Sequence, residues 1–166
     1  MADVLKFLDV KGECIKFRNF AGKAGNFNNE GDRNFCLILD PRDAVEMAEE
    51  GYNIKYLKPK DENDEPKPYI KVRVGYRNRY GEPSKFPPKV TQYTNAGKTF
   101  LDEDSIQNLD WAEIDKADIS IRPREYEPGK ISAYLKTMNV ILMQDDFEDR
   151  YYNVPDSAQN IVDEEY

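Results

Sequence analysis

The stretch ECIKFRNFAGKAGNFNNEGDRNFCLILDPRDAVEMAEEG, residues 13–51, decides the fold class. Its segments ECIKFRNF (13–20) and RNFCLILD (33–40) are rich in β-branched and aromatic residues, and each carries the triplet Arg-Asn-Phe. The interval between them holds Gly22, Gly25 and Gly31, so the two segments read as a hairpin with a long loop that can move. Asp40-Pro41 then opens a helix, with Asp as N-cap and Pro at the first helical position, and Gly51 closes it after PRDAVEMAEE. Ala44, Val45, Met47 and Ala48 fall on one side of this helix, which is expected to pack on a sheet.

Further strands are expected at YNIKYL (52–57), YIKVRVGY (69–76), PKVTQYT (88–94), ADISIRP (117–123) and KISAYLKTMNVIL (130–142). The acidic connector PKDENDEPKP (59–68) contains three prolines and reads as a surface loop. A second short helix is expected in DEDSIQNL, capped by Asp102, with Trp111 packed near a helix end. Short strands with one or two small helices predict a mainly β chain. An OB-like antiparallel β-barrel fits best, because it places a helix between strands; periodicity alone leaves a sandwich equally open. Residues 1–12 read as an N-terminal extension, 13–144 as the OB-like domain, and 145–166 as an acidic tail of the disordered type.

The 166 residues suit one domain, and 11 Tyr, 8 Phe and one Trp require a packed core. No run of 18 apolar residues and no signal peptide is found, so a soluble protein of the cytoplasm, or of a host cytoplasm if viral, is expected. The absence of histidine removes Ser-His and Cys-His dyads and most mixed zinc sites. Cys14 and Cys36 form no CxxC and read as small buried hydrophobes. Gly97-Lys98-Thr99 ends like a phosphate-binding loop, but the required earlier glycine is Gln92. Asp61, Glu62, Asp64 and Glu65 lack calcium-loop spacing. No cofactor, no metal and no catalysed reaction are expected.

The net charge of −8 conceals a segregation. Residues 145–166 hold eight acids against one base, whereas residues 67–98 carry eight bases against one acid. Rings alternate with the bases in the latter window, a combination that suits a flexible polyanion with exposed bases. In YIKVRVGY, period-2 alternation puts Tyr69, Lys71 and Arg73 on one face and Ile70, Val72 and Val74 on the other. The same rule places Tyr134 with Lys136, Lys89 with Tyr93, and Arg122 opposite Ile119 and Ile121. An ordinary solvated face explains any one of these; their repetition over four strands favours a binding surface. Lys71, Arg73, Arg77, Arg79 and Lys89 are candidates for phosphates, and Tyr69, Tyr80, Tyr93 and Phe27 for stacking on bases. Arg18, Phe20, Lys23, Arg33, Arg122, Tyr134 and Lys136 complete the candidate set. In the tail, Asp163, Glu164, Glu165 and Tyr166 form an acidic, aromatic-ended peptide suited to a basic pocket on another protein, or to folding back over the chain's own basic surface.

The segments FRNFAGKAGNFNNEGDRNFCLIL, YNIKYLKP, YIKVRVGY, PPKV, LDWAEIDKADISIRP and AYLKTMNV resemble the single-stranded DNA-binding proteins of tailed bacteriophages, which are built on an OB fold. This resemblance implies coating of replication or recombination intermediates. The tail is similar to the partner-binding tips of such proteins, but Tyr166 stands where a proline-phenylalanine ending is typical. A metal-dependent nuclease using scattered carboxylates and a protein-interaction module are the rival readings.

Overall fold

The computed structural model describes residues 5–25, 28–78 and 80–143. The strands are β1 (Lys6–Lys11), β2 (Ile15–Asn19), β3 (Arg33–Ile38), β4 (Lys55–Leu57), β5 (Lys67–Val74), β6 (Lys89–Thr94), β7 (Gly97–Leu101), β8 (Ile114–Glu127) and β9 (Lys130–Leu142). One helix, α1 (Pro41–Glu50), and two 3-10 turns, Gly12–Cys14 and Ile106–Asp110, complete the described elements. The strands form one sheet in the order β1-β8-β9-β5-β3-β2, with β4 paired to β5, and β6 paired to both β9 and β7. The sheet curls into a half-barrel, a mainly β fold of the OB-like kind.

The curl has its origin in β9. This strand pairs in parallel with β5 at Ala133 and Tyr134, then with β6 from Thr137 to Ile141. Across its other edge Ile121 pairs with Leu135 and Ser120 with Thr137, which leaves Lys136 as an extra residue. Such a bulge bends a strand and increases its twist. The slip is written in the sequence: buried positions run Ile131, Ala133, Leu135 and then change parity to Met138 and Val140. Pro123 sits in β8 beyond the end of β1, whose last partner on that side is Ile121, so its missing N–H costs no ladder bond.

The hairpin and helix stand as the sequence indicates. β2 and β3 are antiparallel, and the Phe20 and Phe35 rings stack in the core with centroids 5.0 Å apart. The Asp40 carboxylate accepts the Arg42 N–H, Pro41 opens α1, and Gly51 ends it at φ 113°, a left-handed conformation that favours glycine. Only Ala44 and Met47 of the expected apolar side are buried; Val45 and Ala48 face outward.

Three expectations need correction. Residues 6–11 are no extension: β1 pairs with β8 along its whole length, and Leu8 and Val10 pack on the core. β7 was not expected at all, because only Leu101 of its five residues is buried and no alternation betrays it. The connector after residue 59 is exposed, but its last two residues, Lys67 and Pro68, open β5. Cys36 is buried and Cys14 half-buried, both free thiols, and burial pushes the Cys36 thiol pKa up. Among the described residues, no helix is long and apolar enough to cross a membrane.

Candidate nucleic-acid interface

The outer face of β5 carries Tyr69, Lys71 and Arg73, while Ile70, Val72 and Val74 are buried beneath it. The registers of the neighbouring strands extend this face sideways. Asn19 of β2 pairs with Asn34 of β3, Asn34 with Arg73, Arg73 with Tyr134 of β9, and Tyr134 with Arg122 of β8. The register thus crosses five strands, a span of about 19 Å at roughly 4.8 Å per strand, but Asn34 is buried and its amide donates to Asn28 and Asp32 of the loop, so the open part of the row is Arg73, Tyr134 and Arg122. A shorter row beside it runs Lys16, Cys36, Lys71.

Tyr134 is the centre of the long row. Arg73 and Arg122 flank it on the adjacent strands, and the Arg124 guanidinium lies 5.7 Å from its ring centroid. Gly75 borders the ring: a Cβ there would stand 3.6 Å from Tyr134 Cδ1 and Cε1, so the glycine leaves room on that side. Phe86 covers the Arg122 end, with the guanidinium 4.6 Å from its centroid. At the other end the exposed Phe17 ring meets Tyr69 edge-on at 6.3 Å. Phe17 has φ 50°, a left-handed conformation that costs a non-glycine residue about 1–2 kcal/mol. Exposed rings beside cations can stack on bases, and the cations can neutralise phosphates.

The loop between β2 and β3 rests on a built base. The Asp110 carboxylate accepts the Phe20 and Ala21 N–H groups at 2.6 and 3.1 Å. Arg18 donates to the Leu109 and Ala112 carbonyls, and desolvation lowers its pKa, with nearby Asp110 opposing the shift. Arg33 donates to the Phe20 carbonyl at 2.7 Å. Asn19 closes a two-way bond with the Lys23 backbone, and Asn28 Nδ2 reaches the carbonyls of Lys23, Asn29 and Asp32. The repeated Arg-Asn-Phe triplets therefore tie the loop down. Two candidates are corrected on this ground. Phe20 has no exposed surface and cannot stack on a ligand, and Arg18 is committed to carbonyls of the 3-10 turn and its exit. Arg33 is half-buried in the same framework, over the Tyr76 ring. The Tyr76 hydroxyl is itself buried, and desolvation pushes its pKa up to about 12.

Lys23 remains exposed, with its ammonium 4.8 Å from the Trp111 ring centroid. Trp111 is exposed too, contrary to the expectation of a packed ring. Arg77 makes a two-pronged ion pair with Glu103 at 2.8 and 3.0 Å, which holds the Glu103 carboxyl below its usual range and offsets the Arg77 charge. Tyr80 is exposed in the turn that follows. Lys136 is half-buried at the bulge. Lys89 and Tyr93 stand beside the row and not in it: Lys89 pairs with Thr137, just past the bulge and opposite Ser120, the next outward position of β8 after Arg122, whereas Tyr93 pairs with Ile141 near the end of β9. Phe27, Arg79 and the tail residues Asp163, Glu164, Glu165 and Tyr166 lie outside the described residues.

Sequence reasoning did not select Lys16, Phe17, Phe86, Trp111 or Arg124. Phe86 stood in the basic, ring-rich window and was within reach of that signal. Phe17 was not, because its positive φ breaks the alternation that would have flagged it.

The half-barrel thus sets the exposed Arg73, the half-exposed Tyr134 ring and the half-exposed Arg122 side by side across β5, β9 and β8, an arrangement that suits a single nucleic-acid strand. Over residues 2–166 the chain matches the family described as "Putative phage ssDNA-binding domain", and it belongs to that family. Among solved structures it is similar to the single-stranded DNA-binding protein from bacteriophage Enc34, at 14% identity over 92% of this chain and 88% of that one, with a TM-score of 0.48. It is also similar to gp2.5, a single-stranded DNA binding protein encoded by bacteriophage T7, at 13% identity over 93% of this chain and 99% of that one, with a TM-score of 0.41. No curated protein matches the chain.

Proposed function

We propose that this protein coats single-stranded DNA with little sequence preference and protects replication or recombination intermediates, without catalysing a reaction. The observation that carries the reading is the row Arg73, Tyr134, Arg122, flanked by Tyr69, Lys71 and Phe86. Tyr134, Tyr69, Phe17 and Phe86 stack on bases, which every base tolerates because each has a flat face. Lys71, Arg73, Arg122 and Arg124 hold phosphates, with Lys23 serving strand that leaves past the loop. Residues 13–144 with β1 form the binding domain. The acidic tail, residues 145–166, recruits replication or recombination proteins through Asp163, Glu164, Glu165 and Tyr166, and competes with DNA for the cationic row. Such a protein works in the host cytoplasm.

Titration of oligo-dT at several salt concentrations, with and without residues 145–166, tests this reading. Affinity is expected to fall as salt rises and to increase when the tail is removed. Salt-independent or absent binding defeats the DNA role, whereas unchanged affinity in the truncated form defeats only the competition. Labelled oligonucleotide incubated with magnesium or manganese should stay intact; shortened product would restore the nuclease reading.

A further inference from the structure

The outward side of β8 does not end at Arg122. It continues through Ser120 and Asp118 to Lys116, and the registers of β1, β9 and β6 build further rows on it. In the row next to Tyr134 and Arg122, Phe7 stands beside Ser120, Ser120 beside Thr137, and Thr137 beside Lys89. The Ser120 and Thr137 hydroxyls bond to each other, so the middle of this row is low, with an exposed ring on one bank and an exposed cation on the other. Beyond it lies a recess of about 650 Å³, within the size range of small-molecule sites. Three polar side chains on adjacent strands border it, in the order Asn139 on β9, Asp118 on β8 and Asp9 on β1. Tyr93 and Ile141, each 38% exposed, give it an apolar wall, and Lys11 stands opposite Lys116 at its far end. Asp9 stands directly opposite Asp118, an unfavourable arrangement for like charges, and among the described residues neither has an ion-pair partner. The two carboxyls lie within hydrogen-bond reach of each other, so donors presented to both of them relieve their repulsion.

We propose that this recess takes one guanine of the bound strand, an assignment that rests on the single-strand-binding function proposed above. The protein then reads a base at one position of a path that is otherwise indifferent to sequence. Asp118 lies four residues before Arg122 on β8, about 13 Å away, so a strand stacked at Tyr134 reaches the recess within a few nucleotides. Charge keeps the phosphates off the acidic pair, while Lys89 on the approach and Lys11 and Lys116 beyond it attract them. The base, not the backbone, is therefore what meets the carboxylates. Carboxylates only accept hydrogen bonds, so they select a base edge that carries donors. Across the strands the side chains run donor, acceptor, acceptor: the Asn139 amide, Asp118, Asp9. The pairing edge of guanine is the complement, with O6 an acceptor and both N1–H and the 2-amino group donors. Asp118 accepts N1–H and one amino hydrogen as a two-pronged, charge-assisted pair, Asp9 accepts the second amino hydrogen, and the Asn139 amide donates to O6. Thymine offers these groups one N–H between two carbonyls, and adenine and cytosine offer an amino group beside a ring acceptor. Tyr93 and Ile141 supply the apolar contact for the purine face.

Anisotropy titrations of the full chain with labelled oligo-dT, and with the same oligonucleotide carrying one central dG, test the proposal. The guanine should tighten binding about fivefold or more, the low end of what one two-pronged base contact discriminates. Inosine in its place lacks the 2-amino group and should lose most of that gain, and a central dA or dC should bind close to oligo-dT. Asp118→Asn, checked for folding by circular dichroism, should bring the ratio of the two affinities to about one. Lys116→Ala should weaken both oligonucleotides alike and leave the ratio in place. Free dGMP, which has none of the contacts of the Arg73–Tyr134 row, should displace neither strand. A wild type that binds oligo-dT but gains nothing from dG overturns the guanine site and leaves the single-strand function standing; binding to neither oligonucleotide defeats both. Preference for dA or dC over dG, a ratio unmoved by Asp118→Asn in the folded variant, or displacement of the strand by dGMP but not by dTMP also overturns the assignment.

Discussion

Tyr134→Ala removes the ring at the centre of the row while leaving Arg73, Arg122 and Arg124 in place. The ring contributes nothing to the buried core, where the neighbours Ala133 and Leu135 point, so the fold should be little affected. Its value is then the stacking of one base, about 1–3 kcal/mol by the behaviour of comparable sites. At 1.4 kcal/mol per tenfold, the Kd for oligo-dT should rise by about 5- to 150-fold. The salt dependence should not change, because no phosphate contact is lost; Arg73→Ala, by contrast, should lower the slope of log K against log salt by about 0.7. Fluorescence anisotropy of labelled oligo-dT at four salt concentrations separates the two effects. Tyr134→Phe should bind nearly as the wild type does, and Phe100→Ala, on β7 outside the row, should bind unchanged. A Tyr134→Ala protein within twofold of wild type would show that the row is an ordinary solvated surface, and the reasoning would fall.

Phe17→Gly should raise thermal stability, since it relieves a left-handed backbone costing about 1–2 kcal/mol, yet weaken oligo-dT binding; loss of both, or of neither, contradicts a strained contact residue. Asp110→Ala leaves the Phe20 and Ala21 N–H groups without their acceptor and should destabilise the fold by about 1–3 kcal/mol in urea unfolding. The hydrogen bond to Asp9 raises the Asp118 carboxyl pKa, with burial adding to it, so the folded chain holds this proton more tightly than the unfolded chain does. The contribution of this carboxyl to stability therefore increases as pH falls through the usual carboxylate range and is absent at neutral pH. Asp118→Asn should stabilise the fold at pH 7 and flatten that dependence, read by thermal melts over a pH series. Gly12→Ala should fold poorly or not at all, because its Cβ would fall on the Ile114 carbonyl oxygen.

The parts of the fold that were legible were those written locally. Asp40, Pro41 and Gly51 define α1 to the residue, since capping chemistry needs no distant partner. The alternation in YIKVRVGY located both the buried and the outward face of β5 for the same reason. β1 was lost because KFLDVK breaks the alternation, with Phe7 exposed and Lys6 half-buried, and gains its identity only from β8 beside it. The site followed the same division. Period-2 alternation showed that Tyr69, Lys71, Arg73 and Tyr134 point outward, but neighbour relations are long-range facts, and nothing local said that Tyr134 lies beside Arg73 while Tyr93 lies beside Ile141. Arg18 and Arg33 looked like exposed cations because the carbonyls that receive them are contributed by residues 109 and 112 and by the loop's own turn.

β9 joins β5, β6 and β8, and it is the last strand among the described residues. Its late place in the chain has a consequence for biosynthesis. While the chain is still being made, the wing containing Arg73 and the hairpin β6–β7 have no common neighbour, and Tyr134 has not yet been delivered to its arginines. Residues 130–142 are thus made after every strand they join, and the row Arg73, Tyr134, Arg122 can be assembled only once β9 has been synthesised.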